Sequence, residues 1–289
     1  MSVTAIVASV VTAILSLLIH AVLAPLDGLL SAFAAAGAVH DLTGAPWAQN
    51  LIAGSQAVAG AVLAMRTAWE ALMLATARTE GAPTDPGALL KRVVLTAAAI
   101  AAGPALAVQA MRAGNLLADA VAHAGLGPGL ADLPGNLWTM AATVEADQPW
   151  VPLLLLGGGF ILILCFIQSV VRTVEMTLAA ILAPVMALGF LSGGGTADVW
   201  LREVVVLAAS QAVQLLLLYL AAALLVLPAG PAGLALGPFY FLGACWVAWR
   251  SPQMLRQFAY HSGAGSAIGS VAGSAATAAL TRLLTKLPL

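Results

Sequence analysis

"QSVVRTVEMTLAAILAPVMALGFLSGGG", residues 168–195, sets Arg172 and Glu175 between two long apolar stretches. No charged side chain occurs from residue 148 to 171, and none again from 176 to 197. Each flank is long enough to cross a bilayer, which takes about 20 apolar residues. Alternation of spans puts the two charges at a cytoplasmic turn between a span at about 150–171 and another at about 175–192. At i, i+3 on one helical face they can pair. The same two residues, turned inward, would instead face a polar cavity or a subunit interface, because ionisable groups inside spans are usually functional.

The rest of the chain has the same character. Of its 289 residues 62% are hydrophobic and only 8% charged, with a mean hydropathy of +1.01. Soluble domains carry about 25% charged residues, so a soluble globular fold is excluded. Residues 204–249 hold no Asp, Glu, Lys, Arg or His. The fold class expected is all-α, a polytopic membrane bundle of about six transmembrane helices plus a re-entrant or seventh segment.

The spans expected are 3–24, 48–75, 93–117, 150–171, 175–192 and 203–227. A short apolar piece at 29–40 is read as interfacial or re-entrant. The segment 233–249, interrupted by Gly237 and Pro238, reads as a broken helix that dips in and returns, tolerable where protein or a wet cavity surrounds it. This gives a transmembrane domain over 1–250. The tail, 251–289, is polar, then Gly/Ser-rich, and ends in a short amphipathic helix around Leu280, Leu283, Leu284 and Leu287. Arg78, Lys91 and Arg92 make the loop at 77–92 basic and hence cytoplasmic. Residues 113–149 carry four acids and no Lys or Arg, which sets them outside.

Several groups are candidates for interior work. Arg66 and Glu70 stand at i, i+4 with Trp69 between them. Gln168, Gln211 and Gln214 are amides in apolar helices, able to bond across a helix interface or to line a wet path. Gly157, Gly158 and Gly159 permit close helix contact, and Pro184 predicts a kink. Cys165 and Cys245 lie in apolar runs, where thiols act as small hydrophobes, and no metal-ligand or disulfide spacing appears. With no HExxH, GxSxG, P-loop or paired acidic motif, an enzyme is not expected, nor is a cofactor.

Taken in order, several stretches resemble the TrbL/VirB6-like membrane proteins of conjugation and type IV secretion systems, in particular the compact versions from Gram-positive conjugative elements. They are the N-terminal apolar segment ending near "LDGLLSAF", "LLKRVVLTAAAIAAGPALA" (89–107), "VVRTVEMTLAAILAPVMALGF" (170–190), "VWLREVVVLAASQAVQLLLLYLA" (199–221) and the post-membrane "SPQMLRQFAYHSGAG" (251–265). The last contains Gln253, Arg256 and Gln257. The resemblance implies a channel or scaffold subunit, homo-oligomeric, in the bacterial cytoplasmic (inner) membrane. It implies work beside other membrane subunits and a cytoplasmic ATPase, moving single-stranded DNA with its attached protein, or pilin. No nucleotide motif is present to supply energy. The few basic residues give at most transient DNA contact. The competing expectation is a small-molecule or ion transporter of the same membrane. Inverted repeats with paired broken helices mark that class, but here Gly157–Gly159 and Pro184 fall in adjacent spans.

Overall fold

The computed structural model describes residues 41–80, 85–124, 150–191, 195–225 and 236–261, with isolated positions elsewhere. The span expected at 3–24, the segment at 29–40 and the tail beyond 261 lie outside the described residues. Five α-helices follow one another: α1 (Pro46–Thr79), α2 (Pro86–His123), α3 (Trp150–Ala187), α4 (Gly195–Leu225) and α5 (Gly237–His261). Single 3-10 turns precede α1 and follow α3. There is no strand among the described residues.

The largest departure from expectation is α3. Residues 150–171 and 175–192 were expected as two spans with a turn at Arg172–Glu175; they instead belong to one helix of 38 residues ending at Ala187, followed by a 3-10 turn. The physical reason is local. From Ile161 to Ala183 the chain holds no Gly or Pro, and both Arg and Glu are good helix formers. Two charges do not break a helix. Pro184 lies only three residues before its end.

Four helices, α1 to α4, are long and apolar enough to cross a membrane; among the described residues the count of about six or seven is not confirmed, and the span expected at 3–24 lies outside them. α5 also differs from the expected broken segment. Gly237 and Pro238 sit at its very start, where Pro is tolerated because the first N–H groups have no intrahelical partner. From there the helix runs without interruption through Arg250 to His261.

Two helix-interior prolines are patched. Pro252 has no N–H to offer the Ala248 carbonyl, one turn back. The Ser251 hydroxyl donates to that carbonyl at 2.8 Å. Pro104 likewise deprives the Ile100 carbonyl, and Gln56 Nε2 of α1 reaches it at 3.4 Å. In lipid an unsatisfied backbone group costs several kcal/mol, so these side chains make both prolines tolerable.

Contacts divide the chain into two compact units. Unit 1 takes in Ala113–Arg172 and Ala208–Gln253, and unit 2 takes in Asp41–Arg112, Thr173–Leu207 and the chain from Met254. The core of unit 1 joins Leu155 and Leu162 of α3, Leu215, Leu218 and Leu225 of α4, and Phe241 and Cys245 of α5. Gly158 is what lets Phe241 in: a Cβ there would overlap the ring. Gly114 does the same between α2 and α4, where a Cβ would stand 2.6 Å from the Ala208 carbonyl oxygen. The core of unit 2 joins Ala59 and Leu63 of α1, Ile100 of α2, and Ala187 with Leu191 after it.

Large apolar side chains also point outward along the length of α3, among them Leu153, Phe160, Ile167, Val174, Leu178 and Val185. A helix hydrophobic all round belongs inside protein or lipid, and these residues are exposed in the chain alone. Lipid, or a partner, is their medium.

Candidate functional site

Unit 1 contains a buried polar chain. Gln168 and Arg172 stand four residues apart on α3 and so share a face. Arg172 is only 3% exposed and Gln214, on α4, only 1%. Arg172 Nη2 donates to Gln214 Oε1 at 2.8 Å. Gln214 Nε2 donates to Gln168 Oε1 at 3.2 Å, and Gln168 Nε2 donates to the Trp249 carbonyl of α5 at 3.1 Å.

The order of donors follows from its end. A carbonyl can only accept, so Gln168 must turn its amide nitrogen to Trp249. Its oxygen then needs a donor, which is Gln214 nitrogen; the Gln214 oxygen in turn needs a donor, which is Arg172. Position 172 therefore has to donate. Such a chain ties three helices together, and buried polar links of this kind fix helix register more than they add stability. Gln211 and Ser210, on the same helix as Gln214, are buried as well.

Unit 2 holds a charged network at one end of a groove. Arg256 Nη2 lies 2.7 Å from Glu203 Oε1 and 3.4 Å from Glu175 Oε2. Tyr260 donates its hydroxyl to Glu203 Oε2 at 3.3 Å, and the Arg202 guanidinium stands 5.3 Å from the Tyr260 ring centroid. The three paired side chains are between 30% and 39% exposed, so water screens them in part. Away from this end the groove is apolar and encloses about 500 Å³.

The sequence candidates separate accordingly. Gln168, Gln214 and Arg172 come together in unit 1, whereas Glu175 meets Arg256 in unit 2. The expected pairing partner of each charge is thus replaced by one far along the chain. Arg66 and Glu70 pair at 3.3 Å within α1, largely in the open. Gly158 and Gly159 are buried, with Gly157 partly so, and Pro184 is buried too. Arg78, Lys91 and Arg92 are exposed at the facing ends of α1 and α2, and Gln253 and Gln257 are exposed on α5.

Three members of the unit 2 network, Arg202, Glu203 and Tyr260, were not singled out from the sequence. The available signal was "WLRE" (200–203), an adjacent charge pair entering an apolar run. Among the described residues no group of three or more His, Cys, Asp or Glu stands together as a metal site would require. Both cysteines are free and buried.

Neither the curated proteins nor the solved structures offer a match to this chain. A family model does, over residues 3–286, and its description is "Conjugal transfer protein TrbL". With four bilayer-length helices and a match over nearly its whole length, the chain belongs to the family of the conjugal transfer protein TrbL.

Proposed function

We propose that this protein is a multi-pass subunit at the cytoplasmic-membrane base of a conjugation machine of the type IV secretion kind. It helps carry single-stranded DNA with its attached protein, or pilin, across that membrane. The carrying observation is the family match over residues 3–286, on a chain whose long helices carry exposed large apolar side chains. The basic loop ends Arg78, Lys91 and Arg92 put the α1–α2 connection in the cytoplasm.

The chain supplies scaffold and path, not energy, so a cytoplasmic ATPase drives transfer. It has 11 Lys and Arg in all, and Arg66, Arg172 and Arg256 are already engaged by its own side chains. A groove for DNA phosphates therefore draws its cations from several copies or from partner subunits. We read the working unit as a homo-oligomer embedded among other membrane subunits.

The test is deletion of the coding sequence in a donor cell, with complementation by the tagged wild type. DNA transfer should fall to background on deletion and return on complementation. Gentle solubilisation should recover the tagged chain with other transfer subunits, and formaldehyde fixation during mating should recover transferred strand. Normal transfer without the protein would overturn the proposal, as would a lone monomer that moves a small solute in liposomes.

A further inference from the structure

We propose that unit 2 holds one phospholipid with a primary-ammonium headgroup, of the phosphatidylethanolamine type, in the groove formed by α3, α4 and the last turns of α5. The cavity of about 500 Å³ falls in the size range of small-ligand sites, about 300–1,000 Å³. Its walls take hydrocarbon. Leu178, Leu182 and Met186 line one side and Val199 and Leu207 the other. Trp200 stands among them with its indole N–H already donated to the Ala179 carbonyl at 2.9 Å. The Thr196 hydroxyl, at the far end, is donated to the Met186 carbonyl at 3.4 Å.

The other end takes a zwitterion. Two carboxylates, Glu175 and Glu203, meet the Arg256 guanidinium, with Tyr260 and Arg202 behind. Arg256 sits closer to Glu203, at 2.7 Å, than to Glu175, at 3.4 Å. The looser carboxylate is also the more exposed of the two, so Glu175 can accept from an ammonium while Arg256 faces the neighbouring phosphate. A quaternary ammonium has no N–H to give, and an anionic headgroup would meet two carboxylates.

Gly103 of α2 packs on Ala183 of α3. Nine residues on from Gly103 the uncharged run of α2 ends at Arg112, and eight residues back from Ala183 that of α3 ends at Glu175. The groove runs away from the charged network along Leu178, Leu182 and Met186 of that uncharged run. Leu178 and Val199 are more than half exposed, so the groove is open sideways to an acyl chain.

The experiment is lipid titration of the delipidated, detergent-solubilised full chain, read by native mass spectrometry. The probes are phosphatidylethanolamine, phosphatidylcholine and phosphatidylglycerol with the same tails. We expect the ethanolamine lipid to bind about tenfold more tightly than the choline lipid, the worth of a hydrogen bond to a charged group, and the glycerol lipid to bind weakest. Glu175→Gln should erase the preference for ethanolamine over choline. Leu182→Trp, which fills the groove, should abolish binding of all three; Val199→Trp, on the open wall, serves if that variant does not fold. Equal binding of the three lipids overturns the proposal, as does wild-type binding by Glu175→Gln or by the groove-filling variant. The readout does not involve DNA transfer, so its failure is separate from failure of the proposed function.

Discussion

Removing the donor at position 172 should damage this protein more than removing Glu175, although the two lie one turn apart. In Arg172→Ala the Gln214 oxygen, 1% exposed, loses a donor now 2.8 Å away. A buried acceptor stripped of its partner costs about 1–3 kcal/mol. Flipping the Gln214 amide does not help, because the conflict only moves to Gln168 and then to the Trp249 carbonyl, which cannot donate. Glu175→Ala breaks a half-exposed ion pair at 3.4 Å, worth about 0–1 kcal/mol. Arg172→Lys keeps a donor and should retain most of the stability. The exchange Arg172→Glu with Glu175→Arg should be worse than either single change, since it sets an acceptor against Gln214 and a cation beside Arg256. The assay is the temperature at which a fluorescent fusion in detergent loses its monodisperse elution peak. A double-mutant cycle of Arg172→Met with Gln214→Leu should show coupling of about 0.5–3 kcal/mol. Additive effects in that cycle, or recovery of stability on charge exchange, would refute the directed chain.

Two further variants test the patched proline and the tight helix contact. Ser251→Ala should cost about 1–3 kcal/mol by stranding the Ala248 carbonyl; adding Pro252→Ala, which restores the backbone N–H, should recover it, and thermal elution profiles will show whether it does. Gly158→Leu should lower the elution-peak temperature and the yield of folded protein, because Phe241 must leave its pocket at a cost of about 1–3 kcal/mol, whereas Gly60→Ala, with open space around it, should not. Cys165 and Cys245, 1% and 0% exposed, should resist a membrane-permeant maleimide in the native protein and react after denaturation; fast native labelling of either would contradict the unit 1 core.

How much of this could be read from the sequence depended on whether the deciding contact was local. The helices α1, α2 and α4 follow from apolar run length, and the charges at Arg78, Lys91 and Arg92 mark the α1–α2 connection. The turn at 172–175 was misread because charge was taken as evidence of water. Charge density shows where a span leaves the hydrocarbon only when the charged side chain faces outward, and Arg172 faces Gln214. The absence of Gly and Pro from 161 to 183 was the better signal. The amides at 168 and 214 stood out as polar groups in apolar helices, but their partners lie 81 and 42 residues away, beyond any periodicity. Glu203 was hidden for the opposite reason: an acid at the start of a span looks like an ordinary interfacial charge, and only the fold of α5 brings Arg256 to it. Ser251 and Gln56 were readable in principle, since each interior proline names the carbonyl four residues earlier that needs a donor.

The continuity of α3 has a consequence for assembly. At 1.5 Å per residue its 38 residues extend about 57 Å. The hydrocarbon layer is about 30 Å thick and spanning helices tilt by at most about 40°. Even at that tilt the helix covers about 44 Å along the membrane normal. At least about 14 Å measured along the normal, some twelve residues of helix, stands outside the hydrocarbon. Yet its exposed face is apolar throughout, from Leu153 and Phe160 to Leu178 and Val185, and water does not stabilise such a surface. Arg172 is buried, so of the two charges only Glu175, part-exposed and paired with Arg256, meets water. The part of α3 beyond the bilayer therefore calls for a cover that the described residues do not provide. Residues of this chain outside the described ones, a second copy or a partner subunit would each meet that need, and the oligomer proposed above is one way of meeting it.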